Sequence, residues 1–189
     1  MVSLAPGALY APLPYTPLLP QRASEQVDLI VMHCSETPTL AIAREFGERV
    51  LYEDRGTGAC GHYYIDRDGS LVAYAEPERT ANHTRGYNPR SIGIELVNTG
   101  RYPHWYDSTH QAMNEPYSDA QIDALIGLLA HLRERFPALA LIAGHEDLDT
   151  ARVPASDDPE KTVWRKRDPG PQFPWARVLA ACGLTRLQG

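Results

Sequence analysis

Strands and helices interleave along this chain of 189 residues, which predicts one α/β domain built around a single sheet. Three observations carry the prediction. Residues 27–32 (Val-Asp-Leu-Ile-Val-Met) and 91–97 (Ser-Ile-Gly-Ile-Glu-Leu-Val) are nearly continuous apolar runs, the pattern of strands buried on both faces. Ser118-Asp119-Ala120-Gln121 is a capping box that opens the longest helix.

Residues 1–26 are proline-rich and weakly patterned, so they read as an arm ahead of a domain at 27–189, either an irregular arm lying on the domain or a disordered tail. The strand at 27–32 ends at His33-Cys34-Ser35, and strand ends are where open α/β sheets place their sites. Thr37 and Thr39 offer N-caps, with Pro38 between them, for a helix running through Arg44 and Phe46 to about Leu51. Its Ile42, Phe46 and Val50 recur every four residues, which predicts one face against the sheet. Residues 62–65 read as a strand, Asp66-Arg67-Asp68-Gly69 as a hairpin turn and 71–74 as the return strand. A polar loop over 76–90 carries His83, Tyr87 and Asn88. Alternation in the next strand sets Ile92, Ile94 and Leu96 on one face, and Gly93, Glu95 and Val97 on the other.

Residues 99–117, rich in Tyr, His, Asn and Pro, read as a surface loop near the site. The helix opened at Ser118 runs to about Phe136, with Ile122, Leu125, Ile126, Leu129 and Leu132 as its apolar stripe and Pro137 as its stop. A strand at 139–143 leads into Gly144-His145, and a long polar loop follows over 146–164. Pro174 opens a last helix to Cys182, capped by Gly183.

A net charge of -6 argues against a nucleic-acid partner, which favours a basic face, although Arg165, Lys166 and Arg167 form a local basic patch. No apolar run approaches the ~20 residues needed to span a bilayer. The N-terminus has no basic start followed by an apolar core, so no secretory leader is expected. Cys34, Cys60 and Cys182 are scattered and odd in number, which fits no disulfide framework. The expected location is the cytoplasm, with a non-standard export route open, and the expected state is a monomer.

Three candidate metal ligands fall at sheet edges or in a rigid loop: His33, His145 and Asp168. Two neutral imidazoles and a carboxylate, with a fourth place left for water, make a catalytic zinc arrangement. Any one of these histidines alone reads better as a hydrogen-bonded core or rim residue. Two of them each ending an apolar strand, with Lys166 and Asp168 beside one, leave both readings open across their wide separation. Glu95 is a carboxylate on an apolar strand, where an unpaired charge is costly. It is the natural general base, the alternative being an ion pair with Arg85 or Arg90. Lys166, two residues before Asp168 in an extended segment, shares its face and could stabilise an oxyanion, or could simply be solvated. His62 could support a ligand, and His83 and Asn88 could touch substrate. Cys34 points opposite to His33 and reads as packing. His104, His110 and His131 read as surface residues.

Taken together, several segments resemble the zinc-dependent N-acetylmuramoyl-L-alanine amidases. They are Val-Met-His33-Cys-Ser, His62-Tyr-Tyr-Ile-Asp-Arg-Asp-Gly, Asn88-Pro-Arg-Ser-Ile-Gly-Ile-Glu95, Tyr117-Ser-Asp-Ala-Gln, Gly-His145 and Arg-Lys166-Arg-Asp168-Pro-Gly-Pro. That family includes cytoplasmic AmpD-type recycling enzymes, phage amidase endolysins and peptidoglycan recognition proteins, and the likeness covers about residues 27–180. It implies a central mixed β-sheet flanked by helices. The implied reaction is hydrolysis of the amide between the lactyl group of N-acetylmuramic acid and L-alanine, in peptidoglycan or muropeptides. It places zinc on His33, His145 and Asp168, the catalytic Glu on Glu95 and the catalytic Lys on Lys166.

The chain departs from the recycling enzymes in three places. The loop between His145 and Lys166 is longer, the segment before Asn88 is shorter and phage-like, and residues 99–117 look inserted. These loops bear on which glycan end fits, so wall recycling and wall lysis both stay open. Two rival readings are a non-catalytic peptidoglycan-binding module and a zinc peptidase acting on the stem peptide.

Overall fold

Seven strands form one mixed sheet in the computed structural model, which describes residues 4–188. In chain order the elements are β1 (Leu9–Tyr10), β2 (Leu29–Cys34), α1 (Leu40–Gly47), β3 (Tyr63–Ile65), β4 (Leu71–Ala73) and β5 (Ser91–Leu96). They continue with α2 (Asp119–Arg135), β6 (Leu141–Gly144), α3 (His145–Leu148), β7 (Arg152–Pro154), β8 (Thr162–Trp164), α4 (Trp175–Cys182) and β9 (Thr185–Arg186). The main sheet runs β1-β4-β3-β5-β2-β6-β9, and β7 pairs with β8 as a separate hairpin. Only the β3–β4 pair of the main sheet is antiparallel.

The apolar runs become the central strands because they alone can be covered on both faces. Ile30, Met32, Ile92, Ile94 and Leu96 pack with Ile122, Leu125, Leu129 and Leu132 of α2 in the main core. Ser118 caps α2 as its pattern predicts, its hydroxyl accepting from the Gln121 N–H at 3.1 Å. A cap of this kind stabilises a helix by about 1 kcal/mol. Gln121 then reaches from the first turn to the Val97 carbonyl at 2.9 Å, tying the helix to the exit of β5. Leu128, rather than Ile126, completes the buried stripe. At the other end of the chain Gly183 closes α4 in the left-handed region (φ 61°), as a C-terminal glycine should.

The other differences from expectation are local. The α1 helix is capped by Thr39 but ends at Gly47, short of Leu51. Its buried face is Ala43 and Gly47, whereas Ile42 and Phe46 are half-buried and Val50 is exposed. Residues 4–26 lie on the domain and contribute to it. β1 pairs with β4, while Leu13, Tyr15 and Leu19 are buried beside Ala43. The loop after α3 holds the β7–β8 hairpin, and β9 adds a strand after α4; neither was expected. Among the described residues no helix is long and apolar enough to cross a membrane.

Candidate functional site

Parallel pairing puts His33 of β2 directly opposite Glu95 of β5, so both side chains leave the same face of the sheet at the same height. On the other side of β2, Met32 pairs with Gly144, which sets His145, one residue on, level with His33. His145 is the first residue of α3 rather than the last of a strand. Asp168 arrives from the segment after β8, held where its carbonyl accepts from the Glu146 N–H at 2.9 Å. The next carbonyl, that of Pro169, accepts from Tyr117 Oη at 2.6 Å.

The three predicted ligands converge. Asp168 Oδ2 lies 2.8 Å from His33 Nδ1 and 3.1 Å from His145 Nδ1, and the three donor groups fall within 4.8 Å of one another. All three residues are buried. Burial pushes the His33 imidazole down to about 4, against the pull of Asp168, so its ring is neutral at neutral pH and offers a lone pair. Burial alone would raise the Asp168 carboxyl, but the facing imidazoles of His145 and His33 hold it well below the usual range. Asp168 Oδ1 is buried and has no hydrogen-bond partner among the described residues. A buried carboxylate oxygen left in that state, beside two inward-facing ring nitrogens, suits a divalent cation. The donor set therefore fits the metal that the resemblance implies.

Glu95 sits 4.0 Å from His33 Nδ1 through Oε1, with its side chain 13 % exposed. Burial, and then the Asp168 charge, push its carboxyl up to about 8, with Lys166 opposing. The alternative ion pair is not made among the described residues: Arg90 bonds Asp28 instead, and Glu95 has no contact of that kind with Arg85. The space for Glu95 exists because residue 61 is glycine: a Cβ there would stand 2.8 Å from Glu95 Cγ. Glu95, Lys166, His83 and the three ligands line one cleft of about 330 Å³.

His83 and Asn88 take different places. The His83 ring lies behind His33, with Nδ1 3.0 Å from His33 Nε2. Asn88 does not reach the cleft lining. Its Oδ1 accepts from the backbone N–H groups of His83 (3.0 Å) and Thr84 (2.7 Å), which shapes the loop that carries His83. His62 is fully buried, its Nδ1 accepting from the Gly93 N–H at 3.0 Å and its Nε2 lying 2.9 Å from the Arg79 carbonyl. Cys34 is buried against Asn98, as packing predicts.

One feature of the cleft wall went unread in the sequence. Arg101, 1 % exposed, donates to Glu36 from Nε (2.7 Å) and Nη2 (2.8 Å), a bidentate buried pair. Arg101 also donates to the Trp164 carbonyl at 2.9 Å, so the 99–117 loop is fastened to the β7–β8 hairpin. Ser108 on Asp157, Ser156 on the Tyr106 carbonyl and Arg167 on the Gln111 carbonyl extend that seam. Trp105 and Tyr106 from this loop reach the cleft. The triplets Arg-Val-Pro and Thr-Val-Trp around a polar turn carried a weak hairpin signal. Nothing in the sequence paired Glu36 with Arg101.

The chain is also similar to known proteins. Residues 23–171 match the family described as N-acetylmuramoyl-L-alanine amidase. The chain is 36% identical over 125 residues to the 1,6-anhydro-N-acetylmuramyl-L-alanine amidase AmpD of Enterobacter cloacae, covering 61% of this chain and 53% of that protein. It therefore spans about half the length of that curated relative. It is 31% identical over 147 residues to the endolysin of Escherichia phage T7, covering 76% of this chain and 89% of the endolysin. Among solved structures, the N-acetylmuramoyl-L-alanine amidase LysC from Clostridium intestinale superposes with a TM-score of 0.66 at 19% identity, over 95% of this chain and 99% of that one. At that identity the likeness speaks to the fold.

Proposed function

Since this chain belongs to the N-acetylmuramoyl-L-alanine amidase family, we propose that it hydrolyses the lactyl–L-alanine amide of peptidoglycan or its muropeptide fragments with a zinc ion held by His33, His145 and Asp168. The observation that carries the proposal is the meeting of those three donor groups within 4.8 Å on the face that Glu95 shares. A zinc ion bound there would supply Lewis acidity and bring a water's pKa toward neutrality.

The chain's own groups supply the proton transfers and the orientation. Glu95 is held rigidly by its strand. Burial pushes its carboxyl up to about 8, and the positive charge of a bound cation would bring it back down. The carboxylate would then take a proton from the attacking water and return it to the departing L-alanine amine. Lys166 lines the same cleft, from which its side chain would stabilise the carbonyl oxygen as that atom gains charge. His33, neutral at neutral pH, would hold the cation together with His145 and ionised Asp168. The 99–117 loop and the β7–β8 hairpin close one wall and limit what can enter.

Both recycling and wall-lytic relatives match the chain. The monomeric state and cytoplasmic setting belong to this proposal as its recycling form. Digestion of anhydro-muropeptide and of intact sacculi side by side, with and without chelator, tests it. Release of stem peptides with a free L-alanine amine, abolished by chelator, is expected. Cleavage of a stem peptide lacking muramic acid would make the protein a peptidase. Binding of sacculi with neither cleavage nor stoichiometric zinc would make it a recognition module.

A further inference from the structure

A neutral imidazole carries one ring proton, so a metal taken on one nitrogen sends that proton to the other, where it needs an acceptor. His33 turns Nδ1 toward Asp168 and Nε2 toward His83. Behind it stands an ordered series of polar groups. His33 Nε2 lies 3.0 Å from His83 Nδ1, and His83 Nε2 lies 3.2 Å from Ser91 Oγ. The Ser91 hydroxyl donates to the Tyr87 carbonyl at 2.8 Å. Resting on the metal assignment above, we infer that His83 and Ser91 are positioning residues, which lock His33 in the tautomer and ring orientation that a metal on Nδ1 requires.

The polarity of the chain follows from its far end. A backbone carbonyl only accepts, so the Ser91 proton is committed to Tyr87 and the Ser91 oxygen is left to accept. His83 must then donate from Nε2, which leaves its Nδ1 bare to accept from His33 Nε2–H. His33 Nδ1 is then bare once a cation stands between it and Asp168, the carboxylate that faces it at 2.8 Å. The opposite polarity would put a proton on His33 Nδ1, where a cation belongs, and would pull the Ser91 hydroxyl off the Tyr87 carbonyl.

The surroundings hold this geometry. Thr84 Oγ1 flanks the junction, 3.0 Å from His83 Nδ1 and 3.4 Å from His33 Nε2, and gives the His33 proton a second acceptor. Asn88 fixes the backbone of residues 83 and 84 from below. The His83 ring lies flat on Gly93, where any Cβ would come within 2.7 Å of it. His62, with ring centroid 5.6 Å from that of His83, has both nitrogens engaged with backbone and does not compete.

The test is zinc affinity, read by competition with a chromogenic chelator on the whole chain, with metal-free melting as the control for folding. Wild type should bind one zinc per chain. His83→Ala and His83→Phe should each weaken binding about 10–100-fold, although the phenyl ring keeps most of the packing. His83→Asn, whose amide oxygen can accept near the Nδ1 position, should recover most of the loss, and Ser91→Ala should fall between. Wild-type affinity in His83→Phe overturns the positioning role. A wild type that takes up no zinc overturns the metal assignment instead. If the variants do not fold, imidazole ¹⁵N spectra of the zinc-loaded wild type decide. A proton on His83 Nε2 is expected, and one on His83 Nδ1 overturns the inference.

Discussion

Replacing Glu95 by Gln separates two consequences of burying a carboxyl beside Asp168. The Glu95 carboxyl, ordinarily near 4.5, is pushed up to about 8 by burial and by the Asp168 charge. Between those values the folded protein keeps a proton that the unfolded chain has released. Linkage then requires stability to fall as pH rises across that interval, being fully retained below 4.5 and lost beyond 8. At ~1.4 kcal/mol per pH unit, the span from 4.5 to about 8 bounds the loss at roughly 5 kcal/mol. Glutamine does not ionise and carries no such loss. In urea denaturation with chelator present, Glu95→Gln should therefore gain on wild type as pH is raised from 4.5 to 8.5. Titrating groups that do not interact with Glu95 are common to the two proteins and cancel. A stability difference that stays flat across that range would refute the placement of Glu95 in this electrostatic setting. With zinc present, the same variant should keep its metal and lose turnover by about 10²–10⁴, the usual worth of a positioned base.

Two further substitutions test the neighbouring groups. Lys166→Met should lower kcat on muropeptide by about 10²–10³ with zinc content unchanged in metal analysis, as loss of one oxyanion-stabilising group does. Arg101→Met should strand the Glu36 carboxylate in the cleft wall and lower stability by roughly 3–5 kcal/mol in urea melts at neutral pH, an effect that Glu36→Gln combined with Arg101→Met should largely relieve.

Much of this architecture could be read from the residues, for identifiable reasons. β2, β5 and α2 were legible because strands covered on both faces need unbroken apolar runs, and because a capping box is a local signal that tertiary packing does not override. His33 was legible because polar residues appear abruptly at the end of its run, and Glu95 because a carboxylate inside an apolar strand needs a partner or a task. Their placement opposite one another comes from the β2–β5 register. The α1 face was misread because hydrophobic periodicity weighs side chains by apolar bulk. Ala43 and Gly47 carry little bulk, yet their smallness lets Leu13 and Tyr15 of the N-terminal arm come close, with Tyr15 Oη donating to the Gly47 carbonyl at 2.7 Å. Short edge strands such as β1 and β9 leave almost no pattern in two residues each. The position of His83 behind His33 depends on the register of β5 and on an absent side chain at Gly93, neither of which one sequence displays.

The seam joining the 99–117 loop to the β7–β8 hairpin has a consequence for protein engineering. Arg101, anchored in the floor by Glu36, also holds the hairpin through the Trp164 carbonyl, and Ser108 and Ser156 stitch the tips together. A chimera that transplants one of these segments into a compact scaffold leaves an arginine or a run of amides facing nothing. The two segments are thus portable only as a matched pair, and directed recombination should place its crossovers outside both.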